Sequence, residues 1–335
     1  MTVKFGLLGA GRIGKVHAKA ITGDAGAQLV AVADAFPAAA QAIADQYGCD
    51  VRSIEAILAA KDIDAVVICT PTDTHADLIE QFVKAGKAVF CEKPIDLSLA
   101  RVKACLEVVR AHKGTLMVGF NRRFDPHFKA VRAEIDKGTI GTPEMVVITS
   151  RDPGAPPVDY IKRSGGIFRD MTIHDFDMAR FILGEEPVEV SATASRLVDP
   201  ELMERLGDYD TLAVTMKTAS GKQAIITNSR RATYGYDQRV EVLGSKGMAI
   251  SENRRPHGMT LHAQDFTERA EPLLNFFIER YREAFDAEID AFVDAIEQGI
   301  APEVGFEDGR LALVLAEAAM KSVAEGRMVR TSEVA

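Results

Sequence analysis

The sequence has 335 residues, of which 47% are hydrophobic, and its formal net charge at pH 7 is −9. This length and apolar content predict two domains with sizeable cores. The negative charge, with no basic cluster to offset it, argues against a nucleic-acid partner, and no apolar run is long enough to cross a membrane.

The start of the chain and its cysteines both predict a cytoplasmic protein. The first residues lack the apolar region and small-residue cleavage site of a signal peptide. Cys49, Cys69, Cys91 and Cys105 have no CxxC spacing, so we expect reduced and mostly buried thiols. The seven histidines are scattered along the chain, and we therefore predict no metal site.

The first fourteen residues predict a dinucleotide-binding turn. An apolar strand, residues 3–8, is followed by Gly9, Gly11 and Gly14 in GxGxxG spacing, and a helix is predicted over 13–22. Gly9 would permit the tight turn, Gly11 would let the backbone approach a pyrophosphate, and Gly14 would let the helix pack on the strand. The amino end of that helix would attract the phosphates.

A second apolar strand, predicted over 28–33, ends in Asp34, twenty residues after Gly14. A carboxylate at this position accepts hydrogen bonds from an adenosine ribose and repels a 2′-phosphate. Neither Ala35 nor Phe36 supplies a positive charge for such a phosphate. We therefore predict NAD rather than NADP. The alternative is a purely structural glycine turn followed by a solvated aspartate.

Helix and strand patterns then alternate, which predicts a parallel, doubly wound sheet. Ligands of such sheets bind beyond the carboxyl ends of the strands. Three polar segments follow predicted strands there: 70–75, 92–94 and 121–123. We predict that Ser53, Thr74 and Ser98 cap helices. The remaining predicted elements of this part are helices 37–47, 54–60, 75–85, 99–112 and 126–137 and strands 64–69, 88–91 and 116–119.

The pattern changes near Pro143, where strands joined by short connections predict a mainly antiparallel sheet. One face of the strand 211–218 is apolar, whereas the other carries small and hydroxyl side chains suited to contact with another subunit. We predict an irregular loop over 151–164 and a helix that ends at Gly184. The other predicted elements are strands 144–150, 188–197, 223–229, 239–244 and 248–251 and helices 274–298 and 307–325.

These patterns predict an α/β protein with two domains. Residues 1–122 would form a Rossmann NAD-binding domain, and residues 123–335 an α+β domain for substrate binding and oligomerisation. The second domain would contain a mainly antiparallel sheet. Whether the terminal helices belong to the second domain or pack on the first domain is left open by these patterns.

Lys93 is a candidate for the chemistry because it follows a predicted strand at the ligand-binding edge of the sheet. An ammonium there can hydrogen-bond a substrate hydroxyl, and partial desolvation would bring its pKa nearer to neutrality. The alternative is a surface lysine that precedes a turn-forming proline.

Asp170 and His174 are four residues apart, so they would share one face if a helix begins at Asp170. An imidazole can accept the proton of an alcohol as hydride leaves the same carbon, and a neighbouring carboxylate would stabilise the imidazolium. The Gly165-Gly166 turn favours an exposed position that lines a pocket. The alternative is an unrelated acid and histidine near one helix start.

Together, the glycine turn, the Glu92-Lys93-Pro94 tripeptide and the Asp170-x-x-x-His174 pair resemble the Gfo/Idh/MocA family of sugar and polyol dehydrogenases. Segments 119–126, 150–153, 165–177 and 234–237 resemble its inositol-dehydrogenase subgroup, and the resemblance covers nearly the whole chain. It implies a cis peptide before Pro94 and a homotetramer formed through the open-faced sheet. The sequence departs from many family members at Thr72, where they carry Asn.

The resemblance also implies site residues. Lys93, Asp170 and His174 would form the catalytic set. A hydroxyl-rich substrate needs many polar partners, and those available are Lys93, Arg122, Asp152, Asp170, Thr172, His174 and Tyr236. The residues expected to bind NAD are Gly9, Gly11, Arg12, Ile13, Gly14, Asp34, Thr70, Pro71, His75, Glu92 and Lys93.

The expected reaction is NAD-dependent oxidation of a cyclic polyol, with His174 as base, Lys93 orienting the oxygen and Asp170 supporting both. Within the subgroup this means myo-inositol oxidised to 2-keto-myo-inositol. Two alternatives stay open. One is a dehydrogenase of another inositol isomer or of an aldose, and the other is a NAD-binding regulatory protein without turnover.

Overall fold

The computed structural model describes residues 2–335, which form two compact units. The first unit runs to Asp125 and also includes residues 283–313, and the second comprises residues 126–282 and 314–335. No helix within residues 2–335 combines the length and apolar character that a bilayer-spanning segment needs. The predicted domain limit at residue 122 stays a prediction.

The first unit contains a six-stranded sheet in the order β3-β2-β1-β4-β5-β6, and every neighbouring pair is parallel. Its strands are β1 (Val3–Leu8), β2 (Ala27–Ala33), β3 (Asp50–Val51), β4 (Ala65–Ile68), β5 (Ala88–Cys91) and β6 (Leu116–Val118). Strand β4 is fully buried along its length, as a sheet covered on both faces requires. The predicted parallel, doubly wound sheet is confirmed.

Helices follow the strands in this unit and bring the chain back to the same sheet edge. They are α1 (Arg12–Gly23), α2 (Pro37–Tyr47), α3 (Ile54–Ala59), α4 (His75–Lys84) and α5 (Leu99–Ala111). Ser53 and Ser98 cap α3 and α5 as predicted, since their hydroxyls accept from Ala56 N and Arg101 N. The predicted cap by Thr74 is wrong: its hydroxyl donates to the carbonyl of Pro71 in a short 3₁₀ turn, residues Thr72–Thr74.

The second unit contains a seven-stranded sheet in the order β12-β11-β7-β10-β9-β8-β15. Only the β7–β10 pair is parallel, so the mainly antiparallel sheet is confirmed. The strands are β7 (Pro143–Arg151), β8 (Pro187–Ser195), β9 (Thr211–Thr218), β10 (Gln223–Ser229), β11 (Asp237–Gly244), β12 (Gly247–Ser251) and β15 (Val329–Arg330). A separate hairpin, predicted by no pattern, pairs β13 (Thr260–Ala263) with β14 (Phe266–Ala270).

One face of this sheet is apolar and buried, and the other is open. Leu212, Val214 and Met216 of β9 are buried, whereas Ala213 and Thr215 between them are exposed. The predicted alternation in β9 between an apolar face and a face of small and hydroxyl side chains is confirmed.

The helices of the second unit depart from prediction in three places. The expected loop over 151–164 contains a helix, and a single expected helix over 274–298 is interrupted at Tyr281. An unpredicted helix covers 200–206. The helices of this part and of the chain end are α6 (Pro126–Asp136), α7 (Val158–Ser164), α8 (Gly166–Asp170), α9 (Thr172–Leu183), α10 (Pro200–Leu206), α11 (Phe277–Arg280), α12 (Arg282–Gln298) and α13 (Phe306–Glu325).

Candidate active site

The three glycines after β1 have different physical roles. Gly9 has φ +100°, and a Cβ there would lie 2.6 Å from the carbonyl oxygen of Cys69. A Cβ at Gly14 would lie 2.0 Å from the carbonyl oxygen of Gly9. Among residues 2–335, no atom beyond the chain neighbours lies within 4 Å of a Cβ placed at Gly11. Packing therefore demands glycine at positions 9 and 14, while Gly11 leaves open space at the amino end of α1.

Asp34 is held at the same sheet edge by backbone donors. Its two carboxylate oxygens accept hydrogen bonds from Ala10 N at 2.6 Å and from Phe36 N at 2.7 Å. A carboxylate has about four acceptor sites, so these two bonds leave capacity for the hydroxyls of a ribose. The arrangement ties the glycine turn to the end of β2, as a dinucleotide site requires.

His75 joins the loops that follow β4 and β5. Its ring nitrogens lie 2.8 Å from the carbonyl oxygen of Thr70 and 2.8 Å from that of Pro94. Burial lowers the pKa of His75, although the two carbonyls oppose that shift. A neutral ring donates to one of the two carbonyls only. The side chain predicted to bind cofactor thus braces the two strand ends between which the cofactor would lie.

The Glu92 carboxylate points into the first unit and pairs with His17 on α1. His17 Nε2 lies 2.7 Å from Glu92 Oε1 and 4.0 Å from Glu288 Oε1 on α12. Burial, with a smaller contribution from the charge of Glu92, raises the pKa of Glu288 well above its ordinary value. The raised pKa favours the neutral carboxyl of Glu288 beside the hydrogen-bonded His17–Glu92 pair, but among residues 2–335 neither oxygen of Glu288 has a hydrogen-bond partner.

The ligating atoms of these three residues lie within 4.8 Å of one another, a spacing compatible with a metal ion. The expectation of no metal site stays a prediction. Sequence reasoning missed His17 and Glu288 because a lone histidine and a lone acid, far apart in the chain, carry no spacing signal.

Lys93 lies two residues after the end of β5 at Cys91, and the peptide between Lys93 and Pro94 is cis, as the family resemblance implied. Lys93 is half-buried. Arg122 is buried in a 3₁₀ turn, Asn121–Phe124, that follows β6. The carboxyl ends of β1, β2, β4, β5 and β6 therefore carry predicted site residues along one edge: Gly9, Gly11, Arg12, Ile13, Gly14, Asp34, Thr70, Pro71, Glu92, Lys93 and Arg122.

Asp170 and His174 do not share a single helix in the second unit. Asp170 is the last residue of α8, and His174 lies in the first turn of α9, with Met171 between the two helices. Asp170 is buried and His174 is half-buried, so the expected exposed position is wrong for the carboxylate. Because the helix is interrupted between the two residues, their four-residue spacing alone does not place both side chains on one face.

The Asp170 carboxylate has two partners that the sequence did not reveal. Tyr160 Oη on α7 donates to Asp170 Oδ1 at 2.7 Å, and Arg230 Nη2 donates to Oδ2 at 3.1 Å. Tyr160 lies in the segment expected to be irregular, and Arg230 precedes Arg231 in what reads as a surface pair. These partners fix the orientation of the carboxylate.

The predicted substrate residues of the second unit differ in their surroundings. Asp152 follows β7, and its Oδ2 lies 3.6 Å from Arg230 Nη1. Thr172 is fully buried, and its hydroxyl lies 2.7 Å from Asn228 Oδ1, which gives it a partner inside the unit. Tyr236 is buried with its ring edge-on to Tyr281 at 6.0 Å. Their assignment to substrate stays a prediction.

Comparison with known proteins identifies both parts of the chain. Residues 3–120 match the NAD-binding Rossmann fold of the Gfo/Idh/MocA oxidoreductase family, and residues 132–331 match the C-terminal alpha/beta domain of the same family. The chain is 68% identical over 329 residues to an inositol 2-dehydrogenase of Rhizobium meliloti strain 1021. That similarity covers 98% of this chain and 99% of the relative.

Solved structures agree with the sequence comparison. A myo-inositol dehydrogenase from Corynebacterium glutamicum superposes with a TM-score of 0.95 at 46% identity and covers 98% of this chain and 99% of its own. A scyllo-inositol dehydrogenase from Lactobacillus casei, solved with NAD(H) and scyllo-inositol, gives a TM-score of 0.92 at 30% identity over 99% and 100% of the two chains. The chain therefore belongs to the Gfo/Idh/MocA family of NAD-binding oxidoreductases.

Proposed function

We propose that this protein oxidises a cyclic polyol with NAD by hydride transfer, and that its main reaction converts myo-inositol to 2-keto-myo-inositol. The observation that carries the proposal is the 68% identity, over almost the full length of both chains, to an inositol 2-dehydrogenase. The open approach at Gly11 and the oriented carboxylate of Asp34 support it from the geometry.

The first unit would hold the cofactor. Gly11 leaves room for a pyrophosphate at the amino end of α1, and Asp34 accepts hydrogen bonds from the adenosine ribose. When bound, NAD supplies the hydride acceptor. His75 fixes the loops after β4 and β5, which gives Lys93 a defined position at the sheet edge.

The second unit would supply the base. We infer that His174 accepts the proton of the reacting hydroxyl and that Asp170 stabilises the resulting imidazolium. Lys93 would orient the same oxygen as a hydrogen-bond donor. The other hydroxyls of the polyol would be bound by Arg122, Asp152, Thr172 and Tyr236.

A second candidate is the oxidation of another inositol isomer. One solved relative was captured with NAD(H) and scyllo-inositol, which differs from myo-inositol in the orientation of one hydroxyl. The same residue types accommodate either orientation, so both isomers belong in the assay. An aldose substrate and a NAD-binding regulator without turnover are the remaining alternatives.

We further propose a homotetramer that forms through the open face of the second sheet. The exposed and uncharged side chains of Ala213 and Thr215 suit contact with a second subunit better than contact with water. We also propose a cytoplasmic location, which four free cysteine thiols support.

The test of the function is a steady-state assay of NADH formation with myo-inositol, scyllo-inositol, other inositol isomers and aldoses. We expect turnover with myo-inositol and a kcat for His174→Ala about 10²–10⁴-fold lower, the usual contribution of a positioned base. NAD binding by His174→Ala should be unchanged. If the protein bound NAD but oxidised none of these polyols, the regulatory alternative would replace the proposal.

A further inference from the structure

Arg230 is a buried guanidinium that no part of the proposed reaction has used. It follows β10 directly, is 1% exposed, and its backbone N–H donates to the carbonyl of Asp210 at 2.9 Å. Removing a guanidinium from water is costly unless ionised partners compensate for the lost hydration. The position therefore requires anions nearby.

Those anions are two of the carboxylates assigned to the substrate site. Arg230 Nη2 lies 3.1 Å from Asp170 Oδ2, and Arg230 Nη1 lies 3.6 Å from Asp152 Oδ2. Asp208 also faces the guanidinium, and Tyr160 donates to the other oxygen of Asp170. Burial disfavours the charge on Arg230, but Asp170 and Asp152 more than offset burial and raise its pKa. The cation lies between the carboxylate proposed to support the base and one proposed to bind the polyol.

Two carboxylates facing one small site repel each other, and a buried pair would take up a proton to relieve that repulsion. A cation between them removes the need for that proton. The oxygens of both carboxylates then stay hydrogen-bond acceptors. This matters because a polyol offers hydroxyl donors and an imidazolium needs a neighbouring negative charge.

We propose that Arg230 is a positioning residue of the oxidation, which keeps Asp170 and Asp152 oriented and ionised together. This inference rests on the proposed function, because the roles of both carboxylates come from it. Arg230 itself touches neither the reacting hydroxyl nor the base on this proposal; it acts through its two partners.

The experiment compares Arg230→Gln, Arg230→Lys and the control Arg231→Gln. Arg231 is the neighbouring cation, and it is exposed. The pH dependence of kcat/KM for myo-inositol is measured for each, together with NAD affinity as a check of folding. Loss of a buried positive charge raises the proton affinity of every group beside it, so the acidic limb of Arg230→Gln should move up by about 1–3 pH units.

Arg230→Lys keeps a positive charge, so its acidic limb should lie close to that of wild type. Arg231→Gln should leave the position of the limb unchanged because solvent screens the charge of Arg231. The double variant Arg230→Gln, Asp152→Asn removes the repulsion and should also return the limb towards wild type. A wild-type limb in a folded Arg230→Gln would overturn the proposal. Turnover by the wild type, measured alongside, shows whether the proposed function itself holds.

The protonation of the aspartates is also measured without turnover. If Arg230→Gln folds poorly, Arg230→Met, which keeps the length of the side chain but removes its charge, replaces it in the kinetic and spectroscopic tests, and its acidic limb should move up by a similar amount. In addition, infrared difference spectra at neutral pH, with and without ¹³C-carboxyl aspartate, should show a protonated aspartic acid in Arg230→Gln that wild type lacks. If Arg230→Gln lacked a protonated aspartate, as wild type does, the proposal would be contradicted whether or not any polyol is oxidised.

Discussion

The glycine turn gives the sharpest prediction about the cofactor, because its glycines are required for different reasons. Gly11→Ala adds a methyl group that meets open space in the protein, and its φ of −70° is accessible to alanine. Alanine is a poorer helix cap than glycine, which should cost about 1 kcal/mol or less of folding stability. The same methyl group would stand where a pyrophosphate approaches, and losing one hydrogen bond to the charged phosphate, about 3 kcal/mol at the upper end of the usual range, weakens binding about 100-fold.

The assay is thermal unfolding with and without NAD. At an NAD concentration of about 100 Kd, wild type gains about 2.7 kcal/mol, or about 5–10 °C in Tm at about 2–4 °C per kcal/mol. With affinity about 100-fold weaker, Gly11→Ala should gain only about 0.4 kcal/mol, or about 1 °C. Gly23→Ala, at the other end of α1 and also facing open space, should respond as wild type does.

Gly14→Ala provides the opposite case. Its Cβ would overlap the Gly9 carbonyl at 2.0 Å, so the apo protein itself should lose stability. A Gly11→Ala protein with the full NAD-induced rise in Tm would refute the assignment of Gly11 to the pyrophosphate.

Three further predictions concern specificity, stability and assembly. Asp34→Ala should relax the preference for NAD, measured as kcat/KM with NAD and NADP, and wild-type activity that is equal with both would reject this role. Because the raised pKa of Glu288 means that the folded state holds a proton, its contribution to stability is present below the ordinary carboxyl pKa of 4.5 and is lost as the pH rises. As the pH rises above 4.5, Glu288→Gln should therefore become progressively more stable than wild type, measured as the free energy of unfolding. The exposed control Asp294→Asn on the same helix should not show this trend, and parallel pH profiles for Glu288→Gln and wild type would contradict the buried proton. Light scattering at micromolar concentration should give four times the chain mass, and a mass near 36.3 kDa would exclude the tetramer.

Periodicity and turn chemistry predicted most of the framework because these signals are local. The apolar run of β4 is too short for a typical helix and fits a strand covered on both faces, and alternating residues such as Val214 and Thr215 in β9 set which face is buried. The segment proposed to bind NAD was recognisable for the same reason, since Gly9 to Gly14 and Asp34 lie at characteristic separations along one strand–turn–helix–strand.

The rest of the site depends on contacts between distant segments, which no local pattern encodes. Tyr160 and Arg230 meet Asp170 from different elements, and His17 meets Glu92 and Glu288 likewise. The break at Met171 was also hidden, because the residues on both sides of it form helix and no glycine or proline marks the position between them.

In the proposed reaction, hydride passes from a polyol carbon to NAD, and isotope transfer tests this step most directly. The protein is incubated with NAD and myo-inositol that carries deuterium at C2, and the NADH formed is examined by mass spectrometry. We predict NADH that is heavier by about one mass unit, because the transferred hydride carries the label. NADH of ordinary mass would show that the hydride leaves another carbon, and the absence of NADH would contradict the oxidation itself.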